Sequence, residues 1–284
     1  MVVNAEKFLT KPPADLAGWV RALPVEDLPV LARTAYELED LREFEDQVDL
    51  QMLGDLITSD PLMSAKLFGH VAKRRGRDVD GELEDVWQAV LLLGVAPFFR
   101  ALSTHTAAED LLAEAPEALE AFHEALDRAR RAGRFAAAFA IQRDDPDAGM
   151  IREAALLHSL PELVVWLRTP ALAMEVARRS KAAPVANHDA IQKSVLNVAF
   201  AELRLGLLEA WRVPAPIAQL ISGQAGPDSP QVSNVRLALR AASQDQADWQ
   251  STEHAVTVRD IGNFLQLGLQ PTWNLLKSVD QPHC

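Results

Sequence analysis

His158 and Ser159 stand side by side in the segment Ala154-Ala155-Leu156-Leu157-His158-Ser159-Leu160-Pro161-Glu162-Leu163. A buried helix that ends in histidine and aspartate would set an imidazole and a carboxylate together on one metal ion. Here the imidazole is present and the anionic oxygen is not, because serine is a neutral and poor ligand beside a carboxylate. Glu162 follows one turn later and reads as a helix partner or surface group, not as a general base. The literal His188-Asp189 dipeptide lies at a helix start, where Asp189 serves as an N-cap. His70, His105, His254 and His283 have no partner at ligand spacing. The sequence contains no glycine-rich phosphate loop, no Ser-His-Asp order and no activated cysteine.

The elements that must position these residues are helices. The chain has 284 residues, 49% of them hydrophobic, which suits one large or two modest domains with a real core and argues against disorder. The formal net charge is −12, so the chain repels nucleic acid and anionic lipid unless its basic residues cluster. Three small clusters occur: Lys73-Arg74-Arg75 with Arg77, Arg128 with Arg130-Arg131 and Arg134, and Arg178-Arg179 with Lys181. Each reads as a solvated helix face or helix end. The single cysteine, Cys284, allows neither an internal disulfide nor a cysteine metal site. The first residues lack a secretion pattern and no apolar run is long enough to span a bilayer, so a soluble, cytoplasmic protein is expected, with no membrane partner.

No period-two alternation is sustained, and Ala, Leu, Glu, Arg and Gln dominate. Asp49 caps a helix that presents Leu50, Leu53 and Leu56-Ile57. Ser59-Asp60-Pro61 ends it and starts the next, with Asp60 as N-cap and Pro61 at the first helical position. Asp80 is read as the cap of a helix carrying Leu83, Val86-Trp87, Val90 and Leu93 and closed by Gly94. Further helices are expected over Pro97–Ala107, Leu119–Ile141, Ile151–Leu167, Ile191–Trp211 and Thr257–Gly268. Thr257 is read as the cap of the last. Pro161 should kink or restart the helix that carries His158.

Taken in order, these residues resemble the HDOD domain, a branch of the HD-type metal phosphohydrolase superfamily found in bacterial signalling proteins. The likeness runs from Leu28-Pro29 through Asp49 to Pro61, with its polar-Asp-Pro turn. It continues through Leu83 to Gly94, with its Leu-Gly ending, and through Leu156-Leu157-His158, similar to the family's Leu-Leu-His-Asp element. It closes with Trp211-Arg212-Val213-Pro214, similar to its Trp-x-hydrophobic-Pro signature, and covers roughly residues 28 to 226. The resemblance implies an all-α fold: an N-terminal helical lobe (1–115) packed on an HD-like helical core (116–226), with a C-terminal helical extension (227–284).

It also implies where metal ligands would stand. The first ligand histidine falls at His123, the His-Asp pair at His158-Ser159, and the later histidines at Phe200 and Gln224. Phenylalanine cannot ligate, and serine and glutamine are weak neutral donors, so His123 and His158 are vestigial candidates and Ser159, Phe200 and Gln224 are lost-ligand positions. His158 then reads as a core histidine bonded between helices, to Ser159, Glu162 or His123. The expected function is a non-catalytic signalling module that holds a partner protein or a small regulatory ligand, with no cofactor and no nucleic acid. The competing readings are a metal-dependent phosphohydrolase or phosphodiesterase built on His123 and His158, and a nucleic-acid regulator using the Arg128–Arg134 cluster.

Overall fold

The computed structural model describes residues 8–75, 83–102, 106–226, 228–244 and 249–281. Among them the chain is all helical, with one isolated bridge between Val30 and Ala107 as the only extended pairing. Local chemistry sets most helix starts. Asp15 accepts from the Gly18 N–H at 2.7 Å and begins α1 (Leu16–Ala22). α2 (Ala32–Glu43) has no side-chain cap from its own flank. Asp49 accepts from the Met52 N–H at 2.7 Å and begins α3 (Leu50–Thr58), and Asp60-Pro61 opens α4 (Pro61–Arg75). Each such cap satisfies an amide that the first turn leaves without a partner.

Asp80 lies outside the described residues. The next helix, α5 (Val86–Leu93), is capped by Asp85, which accepts from the Gln88 N–H at 2.8 Å. It ends at Gly94, whose φ of 79° is the left-handed geometry glycine adopts without strain. The apolar stretch after it forms α6 (Val95–Leu102) and, beyond Ser103–His105, which are not among the described residues, α7 (Ala108–Leu112). α8 (Pro116–Gln142) is the long helix expected from the sequence, with proline at its start.

The His158 segment is two helices, α9 (Ala148–Leu157) and α10 (Leu160–Arg168), with His158 and Ser159 in the turn between them. Pro161 restarts the chain within the first turn, where its missing N–H costs nothing. α11 (Pro170–Lys181) follows. The stretch read as one helix to Trp211 is α12 (His188–Leu196) and α13 (Phe200–Ala210), broken at Asn197, which takes a left-handed φ of 59°. α14 (Ala215–Ser222) and α15 (Pro230–Ala242) come next. In α16 (Ala255–Leu265) Thr257 is a buried residue of the first turn and not the cap, and α17 (Leu269–Asp280) completes the order.

The chain forms two compact units, Met1–Ala125 with Leu160–Pro214, and Leu126–Ser159 with Ala215–Cys284. These follow spatial contacts, whereas 1–115, 116–226 and 227–284 follow the sequence. In the first unit Trp19 and Trp211 are buried, and each indole N–H needs an acceptor. Trp19 donates to the Leu196 carbonyl at 2.7 Å and so binds α1 to the end of α12. Trp211 donates to the Leu23 carbonyl at 2.8 Å and binds the end of α13 to the residues after α1. Gly54 gives the Trp87 ring its place: a Cβ there would lie 2.4 Å from the ring. In the second unit α9 packs on α14 and α15, and Phe135, Phe139 and Trp249 are buried together, with Phe135 and Trp249 edge to face at 5.7 Å.

Candidate metal site and the charged clusters

His158 ends α9, half-buried, in helical geometry, with its N–H donated to the Ala154 carbonyl at 3.1 Å. Ser159 beside it is half-buried too. Gln224 lies exposed in the turn after α14. These three belong to the second unit, whereas His123 and Phe200 belong to the first. Phe200 opens α13, and its N–H donates to the Gln192 Oε1 at 2.7 Å, so the position works as a helix start. His123 is 46% exposed on α8, with Nε2 3.7 Å from the Glu109 Oε1. That spacing is outside hydrogen-bond range and becomes an ion pair only when the ring is protonated.

Nothing in residue order points to Glu109. Its other oxygen accepts the Ala32 N–H at 2.7 Å and so caps α2 from a distance of 77 residues. One carboxylate thus serves both a helix end and a histidine. Among the described residues, no three His, Cys, Asp or Glu side chains converge on one point. Of the residues at the expected ligand positions only the two imidazoles are strong donors; an amide, a hydroxyl and a phenyl ring complete the set. A divalent cation bound by an HD-type cage needs carboxylate and imidazole together, so this donor set does not fit it.

The remaining histidines serve other ends. His188 is the first residue of α12, and its Nε2 lies 3.1 Å from the Ser180 carbonyl. Asp189 does not cap that helix: Asn187 precedes it, and Asp189 sits in the first turn, where its charge suits the helix dipole. His254 is buried against Trp249, with ring centroids 5.7 Å apart. Burial lowers the His70 pKa, and Arg74 and Lys73 lower it further. His105, His283 and Cys284 lie outside the described residues, as do Arg77 and the first seven residues.

Asp60 is the most buried carboxylate described, at 0% exposure. Its Oδ1 accepts from the Leu62 and Met63 N–H groups at 2.8 and 3.1 Å and caps its own helix. Its Oδ2 accepts from the Leu31 N–H at 2.8 Å, beside the start of α2. Burial pushes the Asp60 carboxyl above the usual range, while these amides and the Thr34 hydroxyl pull it down. A buried, perturbed carboxylate is a candidate acid or base. Both oxygens of this one are spent on backbone donors, so its work is structural. Lys66 is buried nearby on α4 and donates to the Leu28 and Glu26 carbonyls at 2.6 and 3.2 Å. Its pKa is lowered by burial against the pull of Asp27, Asp60 and Glu26.

Several members of the basic clusters are paired. Arg131 is 3% exposed, paired through two nitrogens with both oxygens of Asp280 at 2.6 and 2.8 Å. It also donates to the Ala242 carbonyl at 3.0 Å and to the Gln244 carbonyl, and its guanidinium lies over the Phe135 and Trp249 rings. It is a core residue of the second unit and not part of a nucleic-acid surface. Arg178 and Arg179 share Glu175, whose carboxyl is drawn down to about 2 by hydrogen bonds from the two guanidiniums. Lys73 holds Glu26 at 3.1 Å.

The model of a family described as the HDOD domain matches residues 28–227. No curated protein matches the chain. The crystal structure of the MmoQ response regulator from Methylococcus capsulatus is similar over 88% of this chain and 98% of its own, at 21% identity and a TM-score of 0.63. A virulence factor from Campylobacter jejuni is similar over 92% and 99%, at 15% identity and a TM-score of 0.61. At these identities both speak for the fold alone. Among the described residues, no helix is long and apolar enough to cross a membrane.

Proposed function

Since the chain belongs to the HDOD family, we propose that it is a non-catalytic signalling module, a helical scaffold that holds a partner protein or a small regulatory ligand in the cytoplasm. The observation that carries this reading is the fate of the family motifs. Asp60 caps α4 and holds Leu31 before α2, Gly94 ends α5, and Trp211 staples the chain after α13 to Leu23. The positions that would hold metal carry Ser159, Phe200 and Gln224. The framework half of the pattern is intact and the chemical half is not. The likeness to a protein named a response regulator supports the signalling part.

Purified without chelator, the protein is expected to carry less than about a tenth of an equivalent of divalent metal, since a site with fewer than three good donors binds weakly. It should hydrolyse neither cyclic dinucleotides nor nucleotides. Stoichiometric metal that is lost on His158→Ala would overturn the proposal. The second reading, a metal-dependent phosphohydrolase with an atypical ligand set, draws on the carboxylate that Glu109 brings beside His123. It predicts that Glu109→Gln and His123→Ala each release bound metal.

A further inference from the structure

A cleft of about 450 Å³ in the first unit is lined from α1 and the residues after it, from α4, and from the end of α13. That volume suits a small molecule of roughly mononucleotide size. Val20, Leu23, Pro24 and Val25 supply apolar lining. Trp211 is 2% exposed and its indole N–H is already committed to Leu23, so this part of the wall is rigid before any ligand arrives. Lys73, Arg212 and Glu26 supply the charge.

Arg212 has a φ of 53°, left-handed backbone in which a side chain is strained and glycine is not. It directly follows Trp211, the C-cap of α13, the place where helices commonly use glycine. Among the described residues the guanidinium donates only to the Ala72 carbonyl, at 3.4 Å, which leaves most of its fork available. Lys73 is held by Glu26, but the two side chains are 74% and 57% exposed. Such a pair is weak and exchanges readily for a better anion.

We infer that this cleft binds a small organic phosphomonoester, its phosphate between Arg212 and Lys73 and its apolar body against Val20, Leu23 and Val25. A phosphate carries more charge and more acceptor oxygens than a carboxylate, and so engages a guanidinium fork and an ammonium together more strongly. The inference goes beyond the reading above and does not depend on it: it concerns neither His123 nor His158, and metal content leaves it untouched.

Calorimetric titration at low salt with phenyl phosphate, inorganic phosphate and phenol tests it. Phenyl phosphate should bind one to one and more tightly than either fragment. Arg212→Gly should keep or raise the Tm, because it relieves the left-handed strain, yet weaken phenyl phosphate about tenfold or more. Glu26→Gln should tighten binding, because it frees Lys73 and removes a competing anion. The inference is overturned if phenyl phosphate does not bind, or if inorganic phosphate binds as well as it does. A folded Arg212→Gly protein with unchanged affinity, or Glu26→Gln with unchanged or weaker binding, overturns it equally.

Discussion

The Asp60 Oδ2 accepts the Leu31 N–H at 2.8 Å, although the two residues are 29 apart in the sequence. The same carboxylate caps its own helix through Leu62 and Met63. One buried anion therefore caps α4 and holds the residue that precedes α2. Asp60→Asn keeps the shape but turns an amide N–H₂ toward backbone donors. The variant should lose about 2–4 kcal/mol of stability, read by urea denaturation, as expected when a buried charged partner is removed from its donors.

Arg131 and Asp280 make a second tie, between α8 and α17 within the second unit. Arg131→Met alone leaves the Asp280 carboxylate buried without its cation, with the Trp249 N–H still donating to it. Its cost should be about 3–5 kcal/mol, with the double variant Arg131→Met, Asp280→Leu recovering much of it. A double-mutant cycle in denaturant measures the coupling. Additive losses would show that the pair does not act as a unit.

Gly54 on α3 faces the Trp87 ring of α5. Gly54→Ala ordinarily favours a helix. Here the new methyl group meets a rigid ring and should destabilise by about 1–3 kcal/mol, as overpacking does. Trp87→Leu should relieve the penalty in the same thermal melt, since the obstacle is the indole and not the backbone.

Glu26 titrates below the ordinary glutamate range, because its backbone amide and the Lys73 ammonium favour the carboxylate. Its folded pKa is depressed, so its contribution to stability is complete above the unfolded value and is lost as the pH falls through the folded one. Lys73→Met should move the Glu26 titration upward in a carbon-detected NMR experiment. A titration that does not move would show that Lys73 is not the partner in solution.

Much of the framework was legible in residue order because it is local. Asp49 and Asp60 read as caps from their neighbours, and Gly94 as a stop, since an N-cap acts on amides two or three residues away and a C-cap glycine needs only its own φ. Some element boundaries differ from what residue order suggests. Asp85 caps α5 through the Gln88 N–H, and the stretch to Trp211 breaks at Asn197, whose φ is left-handed and beside which the Trp19 indole takes the Leu196 carbonyl. Nothing near Thr257 in the sequence signals that it is buried inside α16.

The candidate site divides along the same line. Residue types at 159, 200 and 224 fix the available donors whatever the fold does, because a hydroxyl, a phenyl ring and an amide cannot become carboxylates or imidazoles. Composition and periodicity likewise left helices as the only class. Which charges meet is another matter. Arg131 belongs to what reads as a solvated basic face, yet it is buried on Asp280, a partner 149 residues away. Glu109 reaches both Ala32 and His123, and Arg212 comes to stand at a cleft with Lys73. A cap needs only the residues beside it, while a long-range ion pair or a cleft depends on how helices pack, and no spacing along the chain encodes that distance.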